Sequence, residues 1–210
     1  KIICVVPYLA YSRQDKIFKE GEALSLNTIV SLLNDSGGDE LIVVDVHNEE
    51  SLEMVREKND IEITNLSAIP LIAKYLKDTG FDGAYSLSPD KGAVHHAKIA
   101  GKIIGGESGF FEKTRDRTTG EIEMVLKDLN VNGKNAIVVD DIISSGGTTA
   151  SAVNGLKNQG ALLVAAACTH GLFMGNAEER IHKAGADLIL ATDTVKTHIS
   201  LVTVAGLLAN

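Results

Sequence analysis

The sequence predicts an α/β fold built on mainly parallel sheets, and three observations lead there. Short apolar runs near residues 2–6, 41–46, 83–87, 161–168 and 187–191 alternate with segments of helical periodicity, as strands joined by crossover helices do. The run Ile137-Val138-Val139 shows no polar alternation, which suits a strand covered on both faces of a parallel sheet. Polar motifs follow the strand-like runs, and in open α/β sheets ligands bind outside the carboxyl ends of the strands.

In chain order, residues 2–6 form the first strand and the polar residues 11–16 a loop. Leu26, Ile29, Val30 and Leu33 fall at helical spacing, with Gly37-Gly38 as the stop. The next strand, 41–46, leads to Asp45, His47 and Asn48. Ser67 is placed to cap a helix carrying Ile72, Tyr75 and Leu76, with Pro70 tolerated in its first turn and Gly80 closing it. A strand at 83–87, a loop at 88–92 and a helix at about 94–104 repeat the pattern. Phe110-Phe111 reads as a strand end, 112–120 as a charged, turn-rich loop, and 121–126 as a half-exposed alternating strand. After the run at 137–139, Ala152, Val153 and Leu156 make a helical face ended by Gly160. A strand at 161–168, a helix at 177–184, a strand at 187–191 and a final helix at 201–208 complete the reading. A change of domain falls near Ser67, giving 1–66 as a first domain, with 199–210 packing back on it, and 67–198 as a second.

With 210 residues, 44% of them hydrophobic, the chain is able to bury a real core. Its formal charge of −8 argues against a nucleic-acid partner. The longest apolar run, 161–168, is far too short for a bilayer-spanning helix. Cys4 and Cys168 sit in apolar runs, as small buried hydrophobes do, and offer neither a disulfide framework nor zinc spacing. A reducing, cytoplasmic setting is expected.

The chemistry concentrates in residues 137–150, IVVDDIISSGGTTA. An apolar strand that ends in Asp140 and Asp141 places charge beside a buried sheet, which an ordinary turn does not explain. Ser144, Ser145, Gly146, Gly147 and Thr148 follow, supplying hydroxyls and freely turning backbone ahead of a helix. Such a loop can aim successive N–H groups at one anion, and the helix N-terminus adds positive potential. Carboxylates for sugar hydroxyls beside a cradle for phosphate suit a sugar phosphate.

This stretch resembles the ribose-phosphate motif shared by phosphoribosyltransferases and ribose-phosphate pyrophosphokinases. Other residues favour the pyrophosphokinases. Tyr11-Ser12-Arg13-Gln14-Asp15 resembles that family's Tyr-Ala-Arg-Gln-Asp, with Ser12 in place of Ala, and implies that Arg13 and Gln14 contact ATP. Asp45-Val46-His47 resembles its Asp-Leu-His and places His47 at the MgATP site, although imidazole is an unusual partner for hard Mg²⁺. Ser88-Pro89-Asp90-Lys91-Gly92 is similar to the pyrophosphate loop, with Asp90 toward a metal, Lys91 supplying charge and Gly92 close backbone approach. Lys113 and Arg115 match the pair on the family's catalytic loop, where cations meet the charge spread over a transferring phosphoryl group. Thr169-His170-Gly171 is similar to its Thr-His-Gly and reads as a site floor or a tight strand exit.

The resemblance implies two phosphoribosyltransferase-like (Rossmann-like) domains, the first incomplete, since the family's members are longer and this sequence opens on Lys1. It implies transfer of the β,γ-diphosphoryl group of MgATP to the 1-hydroxyl of ribose 5-phosphate, giving phosphoribosyl pyrophosphate and AMP. Mg²⁺ is the implied cofactor and a homodimer or larger homo-oligomer the implied assembly. Asp140 and Asp141 would hold the ribose and 144–148 its phosphate; Ser144 stands where the family often has Asp. A phosphoribosyltransferase would share the acidic pair and phosphate loop, but no base-recognition region is visible. A non-catalytic regulatory homologue would have no need of Lys113, Arg115, Asp90 and both carboxylates.

Overall fold

The computed structural model describes residues 1–17, 19–115, 122–125 and 129–209, without the side chains of 112–115 and 122–125. The chain divides into two compact units, Lys1–Ser67 and Ala68–Asn210.

The first unit runs β1 (Ile3–Val5), α1 (Ser25–Asp35), β2 (Glu40–Val44), α2 (Glu49–Arg56) and β3 (Glu62–Leu66). Its sheet has the order β1-β2-β3, all parallel. Leu26 and Val30 of α1 and Leu52 and Val55 of α2 pack with Leu41, Val43 and Ile63 of the strands into one core. The helix over Leu26 and Leu33 forms as its periodicity predicts, and the chain leaves it through Gly37 at φ +95°. Helix α2 and strand β3 had no counterpart in the sequence reading. Only Ser51, Leu52 and Val55 of acid-rich α2 are buried, so its apolar stripe is narrow. Its start was nevertheless marked. Asn48 caps it by accepting from Ser51 N–H (3.2 Å), and Glu49 and Glu50 fill the first turn. β3 alternates polar residues on its open side and lies at the sheet edge.

The second unit begins with α3 (Ile69–Leu76), which carries Pro70 in its first turn. Then come β4 (Tyr85–Ser88), α4 (Val94–Ile104), β5 (Ser108–Phe110), β6 (Glu112–Arg115), β7 (Ile122–Val125), β8 (Ala136–Ile143) and α5 (Gly147–Asn158). β9 (Val164–Gly171), α6 (Ala177–Lys183), β10 (Leu188–Thr192), β11 (Ser200–Val202) and α7 (Ala205–Leu208) follow. The main sheet is parallel throughout, in the order β11-β10-β9-β8-β4-β5. Val138, Ala166 and Ile189 pack with Val153, Leu156 and Ile181 of α5 and α6, while Ile137, Val139, Ala165 and Leu190 pack with Ile72, Leu76, Ala100 and Ile104 of α3 and α4. Both faces of β8 are therefore buried, which is why its apolar run does not alternate.

Three expectations differ from the outcome. The charged segment after Phe111 opens as β6, antiparallel to β7, rather than as a loop. The strand expected at 161–168 lies three residues later, because Leu162 and Leu163 stay exposed while Thr169 and His170 are buried. The segment 201–208, expected as a final helix, opens instead inside β11 (Ser200–Val202). Val202 is buried there and the strand extends the second unit's sheet beside β10, so pairing overrides local helical preference. Among the described residues of this segment only Ala205–Leu208 is helical.

Candidate functional site

From β4 the chain moves outward to β5, and from β8 it moves the other way through β9, β10 and β11. The direction reverses between β4 and β8, and such a switch point opens a crevice at the carboxyl ends of the two strands. The segments leaving those ends are 89–93 and 144–147, two of the motifs singled out in the sequence.

Asp140 and Asp141 lie inside β8, with Asp140 in register with Cys168 of β9. Asp141 is buried, and its N–H donates to Asp140 Oδ1 at 3.0 Å. Burial pushes the Asp140 carboxyl well above the usual carboxylate range, reinforced by the charge and hydrogen bond of Asp141 and by the charge of Asp90. The charge of Asp90, in the segment after β4, thus bears on Asp140 of β8. Cys168 is fully buried and its thiol is pushed far up by that burial, which removes it as a nucleophile.

The loop after β8 is held from behind. The Ser144 carbonyl accepts from Met174 N–H (2.9 Å), and the Ser144 hydroxyl meets Met174 Sδ (3.3 Å). The Ser145 carbonyl accepts from the Arg180 guanidinium. Gly146 caps α5 at φ +72°, and a Cβ there would meet Ala177 O at 3.1 Å and Ile181 Cδ1 at 3.1 Å. Gly147 is different. It has no positive φ, and a Cβ would find open space. Neither backbone strain nor packing among the described residues requires glycine at 147. Among the described residues no side chain caps this end of α5, and uncapped N–H groups at a helix start are the kind of donors that can meet an anion. Thr148, half-buried in the first turn, adds a hydroxyl.

The loop after β4 is an anchored turn. Ser88 Oγ donates to Asp90 O (2.6 Å), and Asp90 Oδ1 accepts from Gly92 N–H (2.9 Å) and Ala93 N–H (3.3 Å). Lys91 is exposed and stands 5.9 Å from the centre of the Phe110 ring. Lys113 and Arg115 lie on β6, and their side chains are outside the described residues. The strand exit Thr169-His170-Gly171 is locked to the end of β10. Thr192 and Thr194 hydroxyls donate to Thr169 O (2.7 and 2.9 Å), and His170 Nδ1 bonds Thr194 Oγ1 at 2.9 Å.

Within the first unit, exposed Arg13 and Gln14 follow β1 and exposed His47 follows β2. The two loops are tied together by Asp15, whose Oδ2 accepts from Asn48 Nδ2 (2.8 Å) and Ser51 Oγ (2.7 Å). Asp45, just before His47, is buried with φ +38°, an uncommon conformation for a residue other than glycine. Val46 N–H is held by Asn65 Oδ1 at 3.1 Å. Sequence reasoning missed Asp15, Asn48 and Ser51 as the clamp. Its one visible trace was the Asn cap before two glutamates.

A parallel sheet with a carboxylate pair and a phosphate-type loop at its switch point defines a phosphoribosyltransferase-type domain. Residues 71–204 match the family model described as phosphoribosyl transferase domain. The similarity then extends across both units. A ribose-phosphate pyrophosphokinase of Sulfurisphaera tokodaii is 40% identical over 205 residues, covering 97% of this chain and 69% of the relative. That of Pyrococcus abyssi is 42% identical over 204 residues, again 97% of this chain and 69% of the relative. The crystal structure of phosphoribosylpyrophosphate synthetase from Mycobacterium smegmatis matches with a TM-score of 0.84 at 31% identity, covering 100% of this chain and 70% of that one. The chain belongs to the ribose-phosphate pyrophosphokinase family.

Proposed function

We propose that the protein transfers the β,γ-diphosphoryl group of ATP to the 1-hydroxyl of ribose 5-phosphate, releasing AMP and phosphoribosyl pyrophosphate. The observation that carries this is the pair Asp140-Asp141 on β8, followed directly by the loop with the open Gly147 position, in a chain of this family. Asp140 and Asp141 accept the ribose hydroxyls. Ser144 and Thr148 hydroxyls and the N–H groups of Ser145, Gly146 and Gly147 take the 5-phosphate. Asp90, Lys91 and Gly92 serve the pyrophosphate side, and Arg13, Gln14 and His47 serve ATP. Lys113 and Arg115 stabilise the charge that develops as the phosphoryl group moves.

The divalent cation is Mg²⁺ in this reading. Among the described residues no three His, Cys, Asp or Glu side chains form a metal cage. Mg²⁺ usually takes one or two carboxylates and completes its shell with phosphates and water. Asp90 is the carboxylate for it, and His47 belongs to the MgATP site without a required direct bond. When bound, the ion neutralises phosphate charge. ATP and ribose 5-phosphate are the partners, in a homodimer or larger homo-oligomer. Free Cys4 and Cys168 suit a reducing, cytoplasmic compartment. No helix among the described residues is long and apolar enough to cross a membrane.

The test is AMP release from MgATP by the intact natural protein, with and without ribose 5-phosphate, alongside Lys113→Ala. AMP that depends on ribose 5-phosphate and is lost in the variant supports the reading. ADP release would mean an ordinary kinase, and binding of both ligands without turnover would mean a regulatory homologue.

A further inference from the structure

The phosphate loop leans on a segment that the family motifs do not include. A trans peptide holds its C=O and N–H on opposite sides of one plane, so fixing a carbonyl fixes the direction of the next N–H. Met174 N–H takes the Ser144 carbonyl at 2.9 Å, and the Arg180 guanidinium takes the Ser145 carbonyl. The N–H groups of Ser145 and Gly146 are thereby turned away from the 174–180 segment. Gly146 in turn rests against Ala177 and Ile181 of the same helix. The other charged side chains of α6 have side-chain partners: Glu178 meets His198 Nε2 (2.9 Å) and Lys183 pairs with Glu179 (2.6 Å). Arg180 spends its donor on a backbone carbonyl instead.

We propose that Arg180 is a positioning residue for ribose 5-phosphate, orienting the Ser145–Gly146 peptide so that its N–H meets the 5-phosphate. This rests on the reading of 144–148 as the ribose 5-phosphate cradle. Arg180 touches no substrate; it acts through the Ser145 carbonyl.

The experiment uses the intact protein with Arg180→Ala and Arg180→Lys. Ribose 5-phosphate binding is measured by calorimetry, the KM of each substrate by AMP release, and folding by thermal melting. Losing one charge-assisted bond to the loop is expected to weaken ribose 5-phosphate binding about five- to tenfold. The KM for ATP and the melting temperature should hold, and Lys should recover part of the loss. Unchanged ribose 5-phosphate affinity in Arg180→Ala overturns the proposal. So does an equal rise in both KM values accompanied by a lower melting temperature, which marks a purely structural role. A wild-type protein that binds ribose 5-phosphate but releases no AMP refutes the reaction and leaves the Arg180 comparison standing. A wild-type protein that binds none refutes both.

Discussion

Gly146 and Gly147 are neighbours with different reasons to be glycine, and paired alanine substitutions separate the reasons. At Gly146 the backbone sits at φ +72°, where an L side chain costs about 1–2 kcal/mol. The new methyl would also press on Ala177 O and Ile181 Cδ1, each at 3.1 Å, and on Ala177 Cβ at 3.2 Å. Crowding of this kind adds about 1–2 kcal/mol. Gly146→Ala should therefore lose about 2–4 kcal/mol, a fall in Tm of about 6–12 °C for a domain of this size. At Gly147 nothing lies within 4 Å of a Cβ and φ is not positive. Gly147→Ala should keep its Tm or raise it slightly, since Ala orders more cheaply than Gly at the start of a helix. Its methyl, however, would stand where the proposed 5-phosphate approaches the backbone. Loss of one or two charge-assisted hydrogen bonds would weaken ribose 5-phosphate about ten- to a hundredfold. Differential scanning fluorimetry and calorimetric titration read the two effects. Unchanged affinity in Gly147→Ala refutes the ligand argument for that glycine, and a Gly146→Ala Tm within about 2 °C of wild type refutes the packing argument.

Asp140→Asn should raise stability and weaken ribose 5-phosphate binding. The folded-state carboxyl is held above its unfolded value by burial, Asp141 and Asp90, so the native state holds the extra proton and wild-type stability falls as pH rises through that window. The Asn variant should thus gain most at neutral pH and least in acid, and a lower Tm at neutral pH would contradict this. Asp187 has the opposite sign. Burial favours its proton, but hydrogen bonds from Lys157 (2.8 Å) and Val164 N–H (2.7 Å), with the Lys157 charge, leave it below the usual range. Its stabilisation is present above the ordinary carboxylate range and is lost as pH falls through the lowered value. Because the group is substantially exposed, Asp187→Asn should cost only about 0.5–1 kcal/mol at neutral pH, a deficit that closes in acid when Tm is followed against pH. Asp15→Ala strands Asn48 Nδ2 and Ser51 Oγ and should lose about 1–3 kcal/mol. It should also raise the KM for ATP and leave that for ribose 5-phosphate alone; an unmoved KM for ATP would detach Asp15 from the nucleotide loop.

What was legible in the sequence was whatever leaves a local trace. The buried run of β8, the spacing of α1 and α4 and the glycines that stop helices each write their own pattern, and all of these elements formed. The acidic pair was conspicuous because two charges interrupt an apolar strand. Helix α2 was missed because few of its residues face the core, and β11 because its identity is decided by pairing with a strand some ten residues away. The clamp of Asp15 on Asn48 and Ser51 and the grip of Arg180 on Ser145 are contacts across 33, 36 and 35 residues of chain. No periodicity announces a side chain committed to a distant backbone group.

The same distinction separates the parts of the site that cost stability from those that stabilise. Asp90 does both. Its Oδ1 closes the turn into α4 by taking Gly92 and Ala93 N–H, while its charge makes Asp140 harder to ionise. In a chain of formal charge −8, the charges of Asp141 and Asp90 both disfavour ionisation of Asp140. The arrangement is unfavourable for the protein alone and favourable for what it is proposed to bind, because ribose hydroxyls donate to carboxylates and a cation neutralises them. Behind the phosphate loop the balance reverses: Met174 N–H and the Arg180 guanidinium satisfy the Ser144 and Ser145 carbonyls, and Ala177 leaves no room for a side chain at Gly146. Strained charge in front and a satisfied wall behind is the pattern expected where binding energy, rather than folding energy, is meant to complete the structure.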